Sequence, residues 1–260
     1  MDFSNNTALI TGSSGGIGEE FAVQFARRGA NLILVARRAD RLAGLRDVLV
    51  AAHPGIVIDV ISADLAVPGS GAELQNSVRE LGRTVDVLVN NAGVGLHGDF
   101  VDQDPESNAG QIQLNCGTLV DLTARFLPPM TQRRHGVVLN VASTAGFQPT
   151  PGMAVYGATK AFVLSYTEAL WQESKGTGVR VLALCPGATE TEFFTRTGED
   201  FLTDGRQTSE QVVDTAFAAL DGSSPTVVSG WRNRLLASGY RVTPRKLMLT
   251  VSERLLKSNP

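Results

Sequence analysis

The chain has 260 residues and a mass of 27.6 kDa; 26 acidic and 23 basic side chains leave a net charge of −3, with 43% apolar and 19% charged residues. A chain of this size hides roughly 70–75% of its unfolded surface, which removes the need for disulfide or metal staples and excludes a disordered or broadly basic class. The only cysteines, Cys116 and Cys185, each lie in an apolar run, which excludes a disulfide framework and a Cys-rich zinc site and points to a reducing, cytoplasmic compartment.

Residues 1–6 are polar and carry no basic leader followed by an apolar stretch, so no signal peptide is expected. No run approaches the ~20 apolar residues that a membrane span requires. Short apolar, β-branched segments predict strands over 7–11, 31–36, 56–62, 85–90, 137–142, 179–185 and 226–229. Six of them are apolar nearly throughout, as a parallel sheet covered on both faces requires. Helical patterns fall between them at 16–28, 39–52, 72–81, 110–132, 153–174 and 209–220, the last opened by Thr208 with Gln211 three residues on. Strand and helix alternating in this way predict a doubly wound α/β sheet with right-handed crossovers. Neither repeats nor linkers interrupt it, so one domain spans 1–260.

The first strand runs into Thr11-Gly12-Ser13-Ser14-Gly15-Gly16-Ile17-Gly18 and then a helix. Backbone N–H groups and the positive end of the helix dipole make such a turn a diphosphate cradle. Gly12 permits the turn, Gly16 admits the phosphates, and Gly18 lets helix and strand pack closely; Ser14 and Ile17 complete the loop. Taken alone, the loop is equally a tight βα turn. Dinucleotide folds place an acid at the end of the second strand to bind the ribose hydroxyls of NAD, whereas arginine there suits the phosphate of NADP. Here Ala36 is followed by Arg37 and Arg38, so NADP is the expected cofactor; the competing reading is two solvated charges at a helix start.

Tyr156 and Lys160 stand one turn apart at the start of an apolar helix. An ammonium about 4 Å from a phenol, at an effective dielectric near 20, lowers a tyrosine pKa by up to about three units, which would let the pair exchange a proton near neutrality. A surface helix pair is the plainer alternative. Ser143 follows the fifth predicted strand, and Asn115 falls inside the long preceding helix beside Gly117, where it is either a satisfied core amide or part of the same constellation.

In order and spacing, Thr11-Gly12-x3-Gly16-x-Gly18, Asn90-Asn91-Ala92-Gly93, Asn115, Ser143, Tyr156-x3-Lys160 and Pro186-Gly187-x3-Thr191 resemble the classical short-chain dehydrogenase/reductase family over about residues 7–191. The resemblance implies a three-layer Rossmann fold with a seven-stranded, mostly parallel sheet, and carbonyl–alcohol chemistry driven by a nicotinamide cofactor. It implies Tyr156 as general acid/base, Lys160 lowering its pKa and binding ribose, Ser143 holding the substrate oxygen, and Asn115 holding a relay water. Asp64 would contact adenine, Asn91, Ala92 and Gly93 would wall the cofactor cleft, and Pro186, Gly187 and Thr191 would meet the nicotinamide end. Arg37 matches the family's NADP-type arginine. Two positions depart from the pattern: Gly15, where a second serine is common, and Thr189, where an aliphatic residue is common. A non-enzymatic NADP-sensing regulator of the same fold is the alternative; an isomerase or dehydratase is the enzymatic rival.

Phe147, Pro149, Pro151, Met153, Phe193 and Phe194 are candidates for an apolar substrate pocket, which suits a hydrophobic ketone, aldehyde or alcohol, or else they are ordinary loop packing. His97 reads as a loop residue rather than a catalyst. A substrate loop is expected over about 189–207. Seven Lys and Arg residues against the single acid Glu253 give residues 230–260 a charge of +6 over a body of −9. An amphipathic segment there, 244–257, would touch an anionic membrane, cover a neighbouring subunit in a homodimer or homotetramer, or pack on its own domain. No nucleic-acid-binding motif is present.

Overall fold

The computed structural model describes residues 2–193, 205–240 and 243–256, the last three as backbone only. Seven strands form one sheet in the order β3-β2-β1-β4-β5-β6-β7. They are β1 Thr7–Thr11, β2 Asn31–Ala36, β3 Ile58–Ser62, β4 Val87–Asn90, β5 Gly136–Val141, β6 Val179–Cys185 and β7 Thr226–Val228. All six ladders are parallel. Every residue of β1, β4 and β5 is buried, which explains their unbroken apolar runs.

Helices cover both faces: α1 Gly16–Arg27, α2 Ala39–Ala52, α3 Ser70–Glu80, α4 Pro105–Ile112, α5 Leu119–Arg133, α6 Ala154–Glu173 and α7 Ser209–Leu220. Two further helices, α8 Trp231–Gly239 and α9 Arg245–Leu256, lie in the basic C-terminal segment. Side chains of one strand alternate between layers: Ile10, Leu32 and Leu34 join one core with Phe21 and Phe25, and Leu9, Ile33 and Val35 join the other with Leu122 and Met130. The first core carries an aromatic cluster, Phe25 packing edge-on to Phe3 at 5.0 Å and to Phe217 at 4.8 Å between ring centroids.

Predicted and observed elements agree most closely where punctuation is strong. Helix α7 begins at the expected place, with Thr208 and Gln211 forming a reciprocal capping box. Strands β3 and β4 start two residues later than their apolar runs, because side chains take over the backbone groups there. Asn31 Oδ1 accepts from Val57 N at 2.8 Å, and Asp86 Oδ2 accepts from Thr7 N at 3.0 Å. The long helix expected over 110–132 is three pieces. Asp104 caps α4 through Ser107 N, a π-helical turn occupies Gln113–Thr118, and α5 follows. Helix α8 was not anticipated, since its Trp231 and Arg232 opening after Gly230 carries no capping side chain.

Phe25 is fully buried within the aromatic cluster. Phe25→Ala should therefore cost about 3–5 kcal/mol, read as a lower urea midpoint with an unchanged slope.

Candidate active site and cofactor cleft

A cleft of about 660 Å³ opens along the carboxyl ends of the strands, where α/β sheets bind ligands. Gly12, Ser14, Gly16 and Ile17 line it from the first βα turn, Arg37, Arg38 and Asp64 from the ends of β2 and β3, and Asn91, Ala92 and Gly93 from the end of β4. Ser143 enters from β5, Tyr156 and Lys160 from α6, and Pro186, Gly187 and Thr191 from the end of β6. One crevice thus gathers all but two of the residues singled out in the sequence; Gly18 and Asn115 stand just behind its wall.

The first turn fits a dinucleotide diphosphate. Gly12 and Gly16 hold φ values of +69° and +58°, the region that favours glycine. A Cβ on Gly16 would stand 2.8 Å from Thr191 Cγ2 and fill the cradle. Gly18 instead faces inward against Gly12 O, so its place is the close packing of α1 on β1. Asn91 also spends its side chain on the frame, Nδ2 donating to Thr11 O at 2.9 Å and to Gly12 O at 3.3 Å.

Arg37 and Arg38 differ in their surroundings. Arg37 reaches outward, 4.0 Å from Asp64. Arg38 bends back over the glycine loop, with Nη2 donating to Ser14 O at 3.0 Å and Nε donating to Ser14 Oγ at 3.3 Å. Its third nitrogen, Nη1, sits 2.8 Å from a carboxylate oxygen of Glu192, an acid that the sequence did not single out. A glutamate between Thr191 and Phe193 carries no signal that it crosses a cleft. Gly15 now has a local reason: a Cβ there would approach Arg38 Nη2 at 3.4 Å.

The π-helical turn sets Asn115. One extra residue in the turn rotates its side chain inward, where it is 1% exposed. Its Oδ1 accepts from Val94 N at 3.0 Å, and its Nδ2 donates to Val94 O at 2.9 Å and to Thr159 Oγ1 at 3.0 Å. Thr159, next to Lys160, was missed because a buried threonine in a helix is usually silent in sequence. Behind the site, Asn90 Nδ2 donates to Asn140 Oδ1 at 2.9 Å and Asn140 Nδ2 to Thr167 Oγ1 at 3.0 Å, a buried polar row joining β4, β5 and α6.

Lys160 is almost wholly buried, and its Nζ donates to Val141 O at 2.8 Å. It lies 5.8 Å from the centre of the Tyr156 ring. The expected acidification of the phenol by this ammonium is corrected here. Burial dominates and pushes Tyr156 up to about 12, with a Ser143 hydrogen bond pulling the other way. Burial also draws Lys160 down to about 8. The phenol is therefore firmly protonated at neutral pH, and the lysine is the group nearer its titration point.

The substrate end is lined by Val94, Leu96, Gln148, Thr150, Met153, Ala188 and Phe193. The Phe193 ring lies 5.3 Å from that of Tyr156. Of the expected pocket residues, Met153 and Phe193 are in place. Phe147 packs instead with Val163 and Leu164, and Pro149 and Pro151 are not among the cleft residues. Phe194 and most of the expected substrate loop lie outside the described residues. The feet of that loop are joined: Gln207 N donates to Ala188 O and Glu190 N to Gln207 O, each at 2.9 Å. Asn233 of α8 backs Gly187 and donates to Ser229 O at 2.8 Å, a support for the nicotinamide end that the sequence did not reveal. His97 borders Gly152 rather than the cleft.

Lys160 holds a proton less tightly in the folded chain, at about 8, than at its ordinary 10.5. Between these values the unfolded chain binds more protons, so this group makes stability rise with pH across that window. The stability of Lys160→Met minus that of the unmodified chain should fall as pH rises from about 8 to 10.5, measured by denaturant titration. A constant difference would mean that the ammonium is not desolvated.

Comparisons with known proteins agree with this geometry. The family model described as short chain dehydrogenase matches residues 6–201. Serine 3-dehydrogenase of Rhizobium radiobacter is 36% identical over 196 residues, 75% of this chain and 76% of the relative. A short-chain dehydrogenase from Sphingobium yanoikuyae, solved in complex with NADPH, has a TM-score of 0.83 and 36% identity over 91% of this chain and 94% of its own. The bulky-bulky ketone specific alcohol dehydrogenase from Comamonas testosteroni has a TM-score of 0.78 and 34% identity over 91% of this chain and 92% of its own. With the motifs gathered in one crevice and the family model spanning most of the sheet, the chain belongs to the short-chain dehydrogenase family and is an oxidoreductase.

Proposed function

We propose that the protein interconverts a hydrophobic ketone or aldehyde and the matching alcohol with NADP(H), and that Tyr156 is its general acid/base. The observation that carries the reading is the single cleft that runs from Arg38 and the glycine turn to Ser143, Tyr156 and Lys160. Bound NADPH would supply the hydride. Tyr156, protonated at neutral pH, gives its proton to the carbonyl oxygen in the reductive direction. Ser143 holds that oxygen and stabilises the developing alkoxide together with the phenol. Lys160, held by Val141 O and drawn down toward neutrality, restores the proton and meets the ribose hydroxyls. Asn115 supports the path: a Cβ on Gly93 would lie 3.2 Å from Asn115 Oδ1 and 3.5 Å from Lys160 Nζ, so the two polar atoms flank one small space that suits a relay water.

NADP rather than NAD is supported by the two arginines after Ala36 and by the absence of an acid at the end of β2. The solved relative in complex with NADPH supports the same choice. The relative that takes bulky ketones, together with Met153 and Phe193 at the substrate end, supports an apolar substrate.

The partner surface is at the C-terminus. Trp231, Leu235 and Leu236 of α8 are exposed at 68%, 63% and 68%, with Arg232 and Arg234 between them. No acid occurs from Gly230 to Ser252, so charge and apolar side chains together suit an anionic bilayer surface.

Tyr156→Phe should lower carbonyl reduction by about 10²–10⁴-fold while NADPH binding changes little; sustained turnover would remove the phenol from the chemistry. Ala36→Asp with Arg37→Leu should move preference toward NAD, and an unmoved preference would place phosphate recognition elsewhere. Full-length protein should cosediment with phosphatidylserine vesicles at low salt, and Trp231→Ser with Leu235→Ser should abolish this with activity retained; no cosedimentation would leave α8 without a lipid role.

A further inference from the structure

Three consecutive residues at the end of β6 cross the cleft and press on three different parts of it. Thr191 Cγ2 packs against Gly16 at the diphosphate turn. Glu192 Oε2 lies 2.8 Å from Arg38 Nη1, and its Oε1 lies 3.6 Å from Arg41 Nη2. Phe193 covers the ring of Tyr156.

Arg38 is the pivot. Its Nε and Nη2 are committed to Ser14, which leaves Nη1 as the nitrogen directed at an anion, and that anion is Glu192. A phosphate on the adenosine ribose would compete for the same guanidinium edge, because that edge offers a paired donor geometry that phosphate and carboxylate share. The Glu192 carboxylate is also 3.9 Å from the position of a Cβ on Gly15, so it stands over the glycine turn itself.

We infer that Glu192 is a cofactor-discriminating carboxylate: it occupies the phosphate end of the cleft by pairing with Arg38 and Arg41, and the 2′-phosphate of NADPH must displace it. This rests on the NADP reading above. Both partners of the pair are partly exposed, and such pairs are weak, so the contact is one that a ligand can break. Repulsion between a carboxylate and a phosphate dianion then acts only on the phosphorylated cofactor. Because Glu192 and Phe193 are adjacent, displacement of the carboxylate also pulls on the ring over Tyr156. Cofactor binding at one end of the cleft thereby clears the substrate end, and NADPH does so where NADH does not.

The test is a pair of variants studied by isothermal titration calorimetry without substrate. Glu192→Gln keeps size and removes charge, and Glu192→Lys reverses it. At low salt, Glu192→Gln should tighten NADPH binding about 3–10-fold and change NADH binding by less than about twofold, with Glu192→Lys shifting selectivity further in the same direction. Equal gains for both cofactors would overturn the inference, since the carboxylate would then act only on the shared diphosphate. Weaker NADPH binding would overturn it too, making Glu192 a positioning residue for Arg38. If the unmodified chain binds NADH as tightly as NADPH, the NADP reading itself fails; if it prefers NADPH and the variants leave that preference alone, only the role of Glu192 fails.

Discussion

The site depends on one hydroxyl at the point where the strand order reverses. Thr11, the last residue of β1, donates from Oγ1 to Val89 O at 3.2 Å and accepts from Asn91 N and Ala92 N at 3.0 Å each. Asn91 returns the connection to Thr11 O and Gly12 O. These bonds hold the ends of two neighbouring parallel strands at a fixed separation, just where their following segments diverge to opposite faces. The glycine turn leaves from one end and the Gly93 wall from the other. A crevice between them is the geometric result of topology, and its width is set by these few hydrogen bonds, each worth about 1 kcal/mol net and more if a buried partner were left unmade.

Deeper in, polar groups replace apolar packing where chemistry has to be held still. Lys160 is buried at the cost of its charge, and Val141 O is the acceptor that makes this burial tolerable. The row from Asn90 through Asn140 to Thr167 pins β4, β5 and α6 together directly behind it. Fully satisfied donors of this kind specify one arrangement, which an apolar core of the same size would not. The π-helical turn follows the same logic, since it trades one regular helical turn for an inward amide at Asn115.

Much of this was legible in the chain itself. Parallel strands buried on both faces leave continuous apolar runs, and glycine turns and capping side chains punctuate them, so β1, β2, β6, α2 and α7 have the extents that their patterns imply. The motif residues reached one crevice because each closes a strand or opens a helix on the same rim. Three things were not legible. The phenol and ammonium are one turn apart in sequence, but desolvation, which depends on the packed surroundings, outweighs their mutual attraction and reverses the expected shift at Tyr156. Glu192 and Asn233 act across gaps of more than a hundred residues and of 46 residues respectively, toward Arg38 and Gly187. The split of the long helix required knowing that Asn115 would be paired with Val94.

The hydrogen bonds that join Ala188 and Glu190 to Gln207 have a further consequence. They close the chain on itself at the base of the substrate loop, so whatever intervenes is an appendage whose ends are already fixed. Closure entropy grows only slowly with length, which means that this appendage could be lengthened, shortened or exchanged with little effect on the stability of the sheet. Selectivity for one molecule or another can therefore drift at this neck, while the proton-handling groups a few ångströms away stay under a separate and stricter constraint.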